Sequence, residues 1–417
     1  MYTQATLQAA LQRRDMLRAV IGLGTTQIIG WGTTFSTLAI FGTPIGDALG
    51  LTREVVFGGI TVMLLVSAML APRVGKVVDR LGAQRVMIVG SFVAAAAMLV
   101  QAHAVGLASY MAGWVLVGIA TPMMLNNTSV PGLVQVVGPN ARRAITGLML
   151  LSGLTGTIFI PLNAWLLKTI GWREAYMLFA VLHVVICAPL HWWVLKRRNS
   201  PYADVSGGPK KHPATDGLLP PEMRRRAFIL LATWSCTEGF LTWGLYIQVI
   251  DIFQAMGLTQ AAAVGVWALV GPSQATARFV ELMLGARYSI LSTAMGSALM
   301  TSTSFLAFVF LGVSFWPAVL FCLLMGLGHG LFAVARNTLP LALFGAREFG
   351  SYMGLLMVPQ NIVNAVAPIA FAFIIARLSP VGGLWAAGIS AAMGCVAVLF
   401  LINFCRKAVA EAGRIEP

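Results

Sequence analysis

The sequence predicts an all-α membrane protein of twelve transmembrane helices in two six-helix bundles. Three observations carry that prediction. Hydrophobic residues make up 58% of the chain and charged residues only 10%, with a mean hydropathy of +0.82. A soluble domain carries about a quarter charged residues, so this chain could not cover its surface in water. Long apolar stretches recur from Leu17 almost to the C-terminus, each near or above the ~20 residues that cross ~30 Å of hydrocarbon. One long polar stretch, 196–226, falls between the sixth and the seventh of them. The same figures exclude a secreted enzyme, a cytosolic nucleic-acid binder and a disordered scaffold.

The first six stretches are 17–41, 55–74, 86–104, 107–137, 144–170 and 175–195. The second six are 227–252, 260–284, 290–313, 316–344, 349–376 and 381–404. Residues 1–195 therefore read as an N-terminal bundle, 196–226 as a cytoplasmic linker and 227–417 as a C-terminal bundle. The start through Arg18 is polar and basic, and the stretch after it is too long for the apolar core of a cleavable signal peptide. Stretches such as 107–137 are long enough to tilt or to extend past the bilayer. Strands are excluded, because a barrel needs short alternating segments. The linker, rich in Pro, Gly, Lys and Arg, reads as a flexible tether. Two such halves around a midplane site are how many secondary transporters are built.

With the N-terminus inside, Arg73, Lys76, Arg80, Arg85, Arg142, Arg143, Lys196, Arg226, Arg347 and Lys407 all fall on the cytoplasmic side. Only Arg53, Lys168, Arg173 and Arg377 fall opposite. That bias places both termini in the cytoplasm. The net charge of +14 is thus a topology signal, not a nucleic-acid footprint. The five cysteines lie in or beside apolar stretches without metal-ligand spacing, and read as small packing residues.

After the second stretch comes Gly75-Lys76-Val77-Val78-Asp79-Arg80-Leu81-Gly82-Ala83-Gln84-Arg85. Its glycines permit a tight turn and close helix approach, and Asp79 can pair with arginines or cap a neighbouring helix. The run resembles the loop signature of the major facilitator superfamily, matching at Gly75, Asp79, Arg80, Gly82 and Arg85. Glu281, Gly285 and Arg287 form a weaker echo in the second half. Further residues are Arg142-Arg143-Ala144, Gly147-Leu148, Gly153, Gly156, Pro161-Leu162, Gly171-Trp172-Arg173 and Tyr176. They look like the fifth helix and following loop of the monocarboxylate-transporter and oxalate/formate-antiporter branch. Leu125-Asn126-Asn127-Thr128-Ser129-Val130-Pro131 resembles that branch's fourth helix loosely. The resemblance implies alternating access of two six-helix bundles.

Arg278 lies well inside the eighth stretch. An arginine there costs about 2.5–3.5 kcal/mol on insertion scales, so it should face a cavity or a partner. Its planar fork suits a carboxylate held bidentately. Monocarboxylate transporters have an arginine at this place, implicated in substrate binding, four residues after an aspartate. Here that aspartate position is Gln274, and the branch's first-stretch lysine is missing. The alternative is that Arg278 snorkels and pairs with Glu281.

Glu238, near the middle of the seventh stretch, is the one acid placed so deep. Acids at that depth mark proton relays, and its other reading is a static partner for Arg278 or Arg336. His329, between glycines in the tenth stretch, is a second proton-coupling candidate. Arg336 reads as a structural anchor. Gln360, Asn361 and Asn364 sit between Pro359 and Pro368. Thr25, Thr26, Gln27, Trp31, Thr33 and Thr34 form a polar strip in the first stretch. Each group can serve solute or hold helices together.

The expected function is secondary active transport of a small organic solute, specifically an organic anion such as a monocarboxylate. The candidate substrate contacts are Arg278, Gln274, Asn126, Asn127, Gln27, Trp31, Gln360 and Asn364, with a proton or a counter-anion as the coupled species. Efflux of drugs or amphipathic metabolites is the alternative, and a membrane-embedded enzyme or receptor the remote one. No convergent nucleophile, base or metal cluster is visible in the sequence. There is no Walker sequence, so ATP is not expected, nor is a cofactor or nucleic acid. Short loops suggest a prokaryotic inner membrane, with lipid as the surrounding partner.

Overall fold

The computed structural model describes residues 4–196, 217–311 and 314–412. Most of the expected linker lies outside these described residues. The first span is a helix, Gln4–Thr34, continued after a turn by Leu38–Leu49. It therefore runs beyond the 17–41 expected from hydropathy. Arg53–Leu81 and Ala83–Ala102 are the second and third spans. The fourth is Leu107–Met124 and Asn126–Val137, and the fifth is Ala141–Ser152 and Thr155–Thr169. The sixth runs from Trp172 to Val194 through a π turn at His183–Cys187.

The seventh span begins at Pro221, not at 227, so the expected linker ends six residues early. It comprises Pro221–Phe240, a π turn Leu241–Leu245, and Tyr246–Ala255. Just before it, Leu218 and Leu219 donate their amides to the carbonyls of Ala342 and Leu343 at 2.9 and 3.1 Å. Those carbonyls belong to the last turn of the tenth span, which has no intrahelical donors for them. The eighth span is Gln260–Trp267 and Val270–Leu284. Its break at Ala268–Leu269 has a cause in the sequence: a proline ring clashes with the carbonyl four residues earlier, and Pro272 faces Ala268. Ile290–Leu311 is the ninth span and Phe315–Phe344 the tenth.

The eleventh and twelfth spans form one helical run, Phe349–Ala412, broken at Ser379 with φ 86°. Ser379 accepts the Gly382 amide at 3.4 Å and is followed by Pro380. A serine cap with proline at the first helical position restarts the helix.

Eight helical stretches among the described residues are long and apolar enough to cross a membrane. The last of them, 60 residues long, covers two passes, one on each side of the Ser379 break. The seventh and eighth spans are too polar to count among the eight, and the ninth contributes only a shorter apolar helix, Ile290–Leu306. The seventh and eighth carry Glu238, Arg278 and Glu281, three buried charged side chains, so the spans that look least like membrane helices hold much of the buried charge. Exposed side chains elsewhere are large and apolar, Met69 at 71% and Ile369 at 71%. Near one end of the N-terminal half, Arg18 and Lys196 lie over the rings of Trp193 and Trp192, the pattern of an aromatic interfacial belt.

The chain forms two compact units: Met1–Thr215 with Ala346–Val358, and Asp216–Gly345 with Pro359–Pro417. The second is built around Phe253, Phe305, Phe308, Phe321 and Phe371, with ring centroids 4.9 Å apart for Phe308 and Phe321. Lipid tails are as apolar as these rings, so the gain is close packing, not removal from water.

Candidate functional site

In the C-terminal unit, buried polar side chains from four spans face one another. Glu238, on the seventh span, is 3% exposed. Its Oε2 lies 3.8 Å from His329 Nδ1 on the tenth and has no hydrogen bond among the described residues. Thr242, one turn on, donates to the Glu238 carbonyl at 2.8 Å and stands 3.4 Å from the same imidazole nitrogen. This threonine sits in the π turn, a device that opens a helix locally and recurs at functional sites. Tyr246 follows at the next turn, its ring 5.7 Å from that of His329 and edge-on to Trp267 at 4.7 Å.

Arg278, on the eighth span, is 8% exposed. Its Nη2 donates to Gln274 Oε1 at 3.2 Å, so the expected pair is joined across one helical turn. Tyr246 lies within electrostatic range of both this pair and the acid. Its buried hydroxyl faces Gln274 and has no well-formed hydrogen bond among the described residues. Glu281 accepts from Thr293 on the ninth span, its oxygens 3.2 and 3.3 Å from that hydroxyl.

Arg336 is held differently. Its Nε and Nη2 donate to Gln360 Oε1 at 2.9 and 2.5 Å, and its Nη1 donates to Asn337 Oδ1 at 3.3 Å. It forms no ion pair among the described residues, which removes it as a static partner of Glu238. Asn364, oriented to satisfy its neighbours, accepts from Trp243 Nε1 at 3.2 Å and donates to the Gln360 carbonyl at 3.1 Å. Gln360 and Asn364 thus both make contacts between helices here.

The N-terminal unit holds its own polar cluster. The fourth span breaks at Leu125, whose backbone is extended at φ −90° and ψ −161°. Two carbonyls at the break are taken by side chains. Gln27 donates to Met124 at 2.9 Å, and Thr128 donates to Pro122 at 2.7 Å. Such re-satisfaction is what makes a broken helix tolerable in a membrane. Both amide atoms of Asn127 and the Asn126 oxygen are buried without hydrogen bonds among the described residues. Trp31 packs beside Phe35, centroids 4.6 Å apart, over the Met124–Leu125 region.

The loop motif acts at a helix terminus. Asp79 Oδ1 accepts the Gly350 amide at 2.8 Å, while Oδ2 accepts the Ser351 amide at 2.7 Å and its hydroxyl at 2.6 Å. The carboxylate therefore caps the eleventh span, where unpaired amides and the helix dipole favour negative charge. Close approach is required here. A Cβ on Gly75 would overlap the Gly350 carbonyl, and one on Gly354 would overlap that of Ala71. Gly82 adopts φ 83° to turn the chain. Arg80 and Arg85 are exposed and form no ion pair among the described residues. Of the two roles open to Asp79, capping is the one formed.

Asp79→Asn keeps the shape and loses the charge in three charge-assisted bonds, each worth about 1.5–3 kcal/mol. Turnover in reconstituted vesicles is expected to fall roughly tenfold, with substrate affinity within about twofold of wild type. Wild-type turnover would reduce the contact to packing.

Sequence reasoning missed Thr242, Trp243, Tyr246 and Trp267. A signal was present: Glu238, Thr242 and Tyr246 recur at intervals of four, one helical face.

The family model described as Major Facilitator Superfamily matches residues 23–323. No curated protein sequence matches the chain. Among solved structures, the human organic anion transporter MFSD10 (TETRAN) aligns with TM-score 0.69 at 15% identity, covering 93% of this chain and 99% of its own. The proton:xylose symporter XylE, bound to 6-bromo-6-deoxy-D-glucose, gives 0.68 at 12% identity, with 95% and 96% covered. FucP in the outward conformation gives 0.67 at 15% identity, with 93% and 99% covered. At these identities the likeness is one of fold.

Proposed function

This chain belongs to the major facilitator superfamily, and from that premise we propose that it carries a small organic anion, such as a monocarboxylate, by secondary active transport. The observation that supports this reading is the buried Arg278 guanidinium, bonded to the neutral Gln274 amide beside the Tyr246 hydroxyl. A carboxylate could accept from the guanidinium fork and the phenol together, in a setting shielded from bulk water. We assign proton coupling to Glu238 and His329, 3.8 Å apart, with the His329 ring 5.7 Å from that of Tyr246. Taking up a proton on this pair removes a negative charge near the anion, which links the two ligands by electrostatics. Among the fold neighbours, XylE is a proton:xylose symporter and FucP a fucose:proton symporter. MFSD10 is an organic anion transporter. The residues of this chain, not those neighbours, support the assignment. The positive-inside count supports both termini in the cytoplasm, and the short loops support a prokaryotic inner membrane.

Thermal stabilisation of the purified protein tests the solute class. Among monocarboxylates, neutral amides of the same shape, sugars and cationic drugs, monocarboxylates should raise Tm and their amides should not. Stabilisation by cationic or amphipathic compounds alone would overturn the anion reading in favour of efflux.

A further inference from the structure

Two crevices run end to end along an exposed face of the C-terminal unit, between the seventh and twelfth spans, and share Ile229. The first, about 530 Å³, is walled by Ala232, Cys236, Phe240, Pro359 and Met393. The second, about 390 Å³, is walled by Leu230, Phe400 and Phe404 and ends on Arg226, Asn403 and Lys407. Its rim is apolar and open, Ile229 being 52% and Phe400 61% exposed.

Length and charge say what fits this groove. Between Arg226 and Phe240 the seventh span climbs about 21 Å at 1.5 Å per residue. That is close to one leaflet with its headgroup layer, half of the roughly 40–45 Å bilayer. The basic end lies on the side that the charge distribution assigns to the cytoplasm. Arg226 and Lys407 are exposed and form no ion pair among the described residues. Glu222, one turn before Arg226, does not reach it. Two like charges at one mouth repel each other unless an anion lies between them.

We infer that this groove binds an anionic phospholipid of the adjoining leaflet. The phosphate sits between Arg226 and Lys407, the Asn403 amide serves the headgroup, and one acyl chain lies along Ile229, Ala232 and Cys236. Basic pockets between membrane helices hold anionic headgroups in this way. The deep end has a consequence for transport. Thr237 and Pro359 line it, each next in sequence to a residue of the polar cluster, Glu238 and Gln360. An acyl chain there braces the seventh and eleventh spans from behind. The inference does not rest on the identity of the solute.

Native mass spectrometry and thermal unfolding test it, with phosphatidylglycerol or phosphatidylcholine of matched chains added to delipidated full-length protein. Each basic residue near a membrane surface strengthens attraction to anionic lipid, and two of them imply about a thirtyfold preference for phosphatidylglycerol. Wild type should retain phosphatidylglycerol and gain Tm from it, and Arg226→Gln/Lys407→Gln should lose both effects. Arg143→Gln/Arg287→Gln, which removes equal charge elsewhere, should keep them. Should the first double variant fail to fold, Ala232→Trp fills the acyl path without touching charge and should displace the lipid. Equal retention of the two lipids by wild type, or a preference that survives Arg226→Gln/Lys407→Gln, overturns the inference. So does equal loss in the control, or a dimer mass without lipid, which would make the face a contact between two copies.

Discussion

Replacing Arg278 with alanine is expected to weaken binding of a carboxylate solute by about thirtyfold or more. Removing one partner of a buried, hydrogen-bonded charge pair costs roughly 2–5 kcal/mol, and each 1.4 kcal/mol is about tenfold. Arg278→Lys keeps the charge but loses the fork and shortens the reach, so the expected loss is about tenfold. The decisive comparison uses two solutes, an acid and its neutral amide. The amide should cost wild type far more affinity than it costs the alanine variant, because only wild type holds the guanidinium that tells them apart. General damage would penalise both solutes alike, so the difference isolates direct contact. Binding by isothermal calorimetry in detergent, with Tm as the folding check, reads it out. Equal binding of acid and amide by wild type, or acid affinity retained in Arg278→Ala, would falsify the anchor.

Hydropathy made the spans legible because a bilayer imposes one length on every helix, and the twelve stretches recur in order along the helices. Their interruptions were less legible. Pro272 breaks the eighth span at its own i−4 position, which a reading of proline chemistry could have predicted. The π turns at His183–Cys187 and Leu241–Leu245 leave no composition signal, since an extra residue in a turn changes register and not residue type. The start of the seventh span was misplaced for a plain reason. Arg224, Arg225 and Arg226 look like linker by charge, yet they lie in the first two turns of the helix Pro221–Phe240.

The site was legible where a charge sat against its surroundings. Glu238, Arg278 and His329 stand out in apolar runs, and their proximity to one another depends on which helix faces which. That is tertiary information, and one sequence without relatives does not contain it. Asp79 shows the same limit at longer range. The sequence allows either arginine pairing or helix capping, and its partners Gly350 and Ser351 lie 271 and 272 residues away. Gln360 and Asn364 show the same limit: polar residues between two prolines can serve solute or neighbouring helices, and their contacts to Arg336 and Trp243 come from helices the sequence does not place beside them.

Glu238→Gln is expected to uncouple transport from the proton gradient. The amide matches the carboxylate in shape but cannot take up and release a proton, so a carrier using Glu238 loses its driving force and keeps its path. One pH unit across the membrane is worth about 1.4 kcal/mol per proton, or about tenfold accumulation at one proton per solute. Wild-type vesicles with an imposed gradient of one unit should therefore approach about tenfold accumulation, while Glu238→Gln vesicles stop near the external concentration. Exchange between solute-loaded vesicles and labelled external solute needs no net proton movement and should survive in the variant. His329→Asn gives an intermediate test. It removes the imidazole 3.8 Å from the acid but leaves the acid, so it should displace the pH at which uptake is half-maximal while exchange persists. A static ion pair predicts another pattern: uptake and exchange fall together in Glu238→Gln, and Tm falls with them, because the loss is then of structure. Proton coupling at Glu238 stands only if accumulation is lost while exchange and Tm are kept.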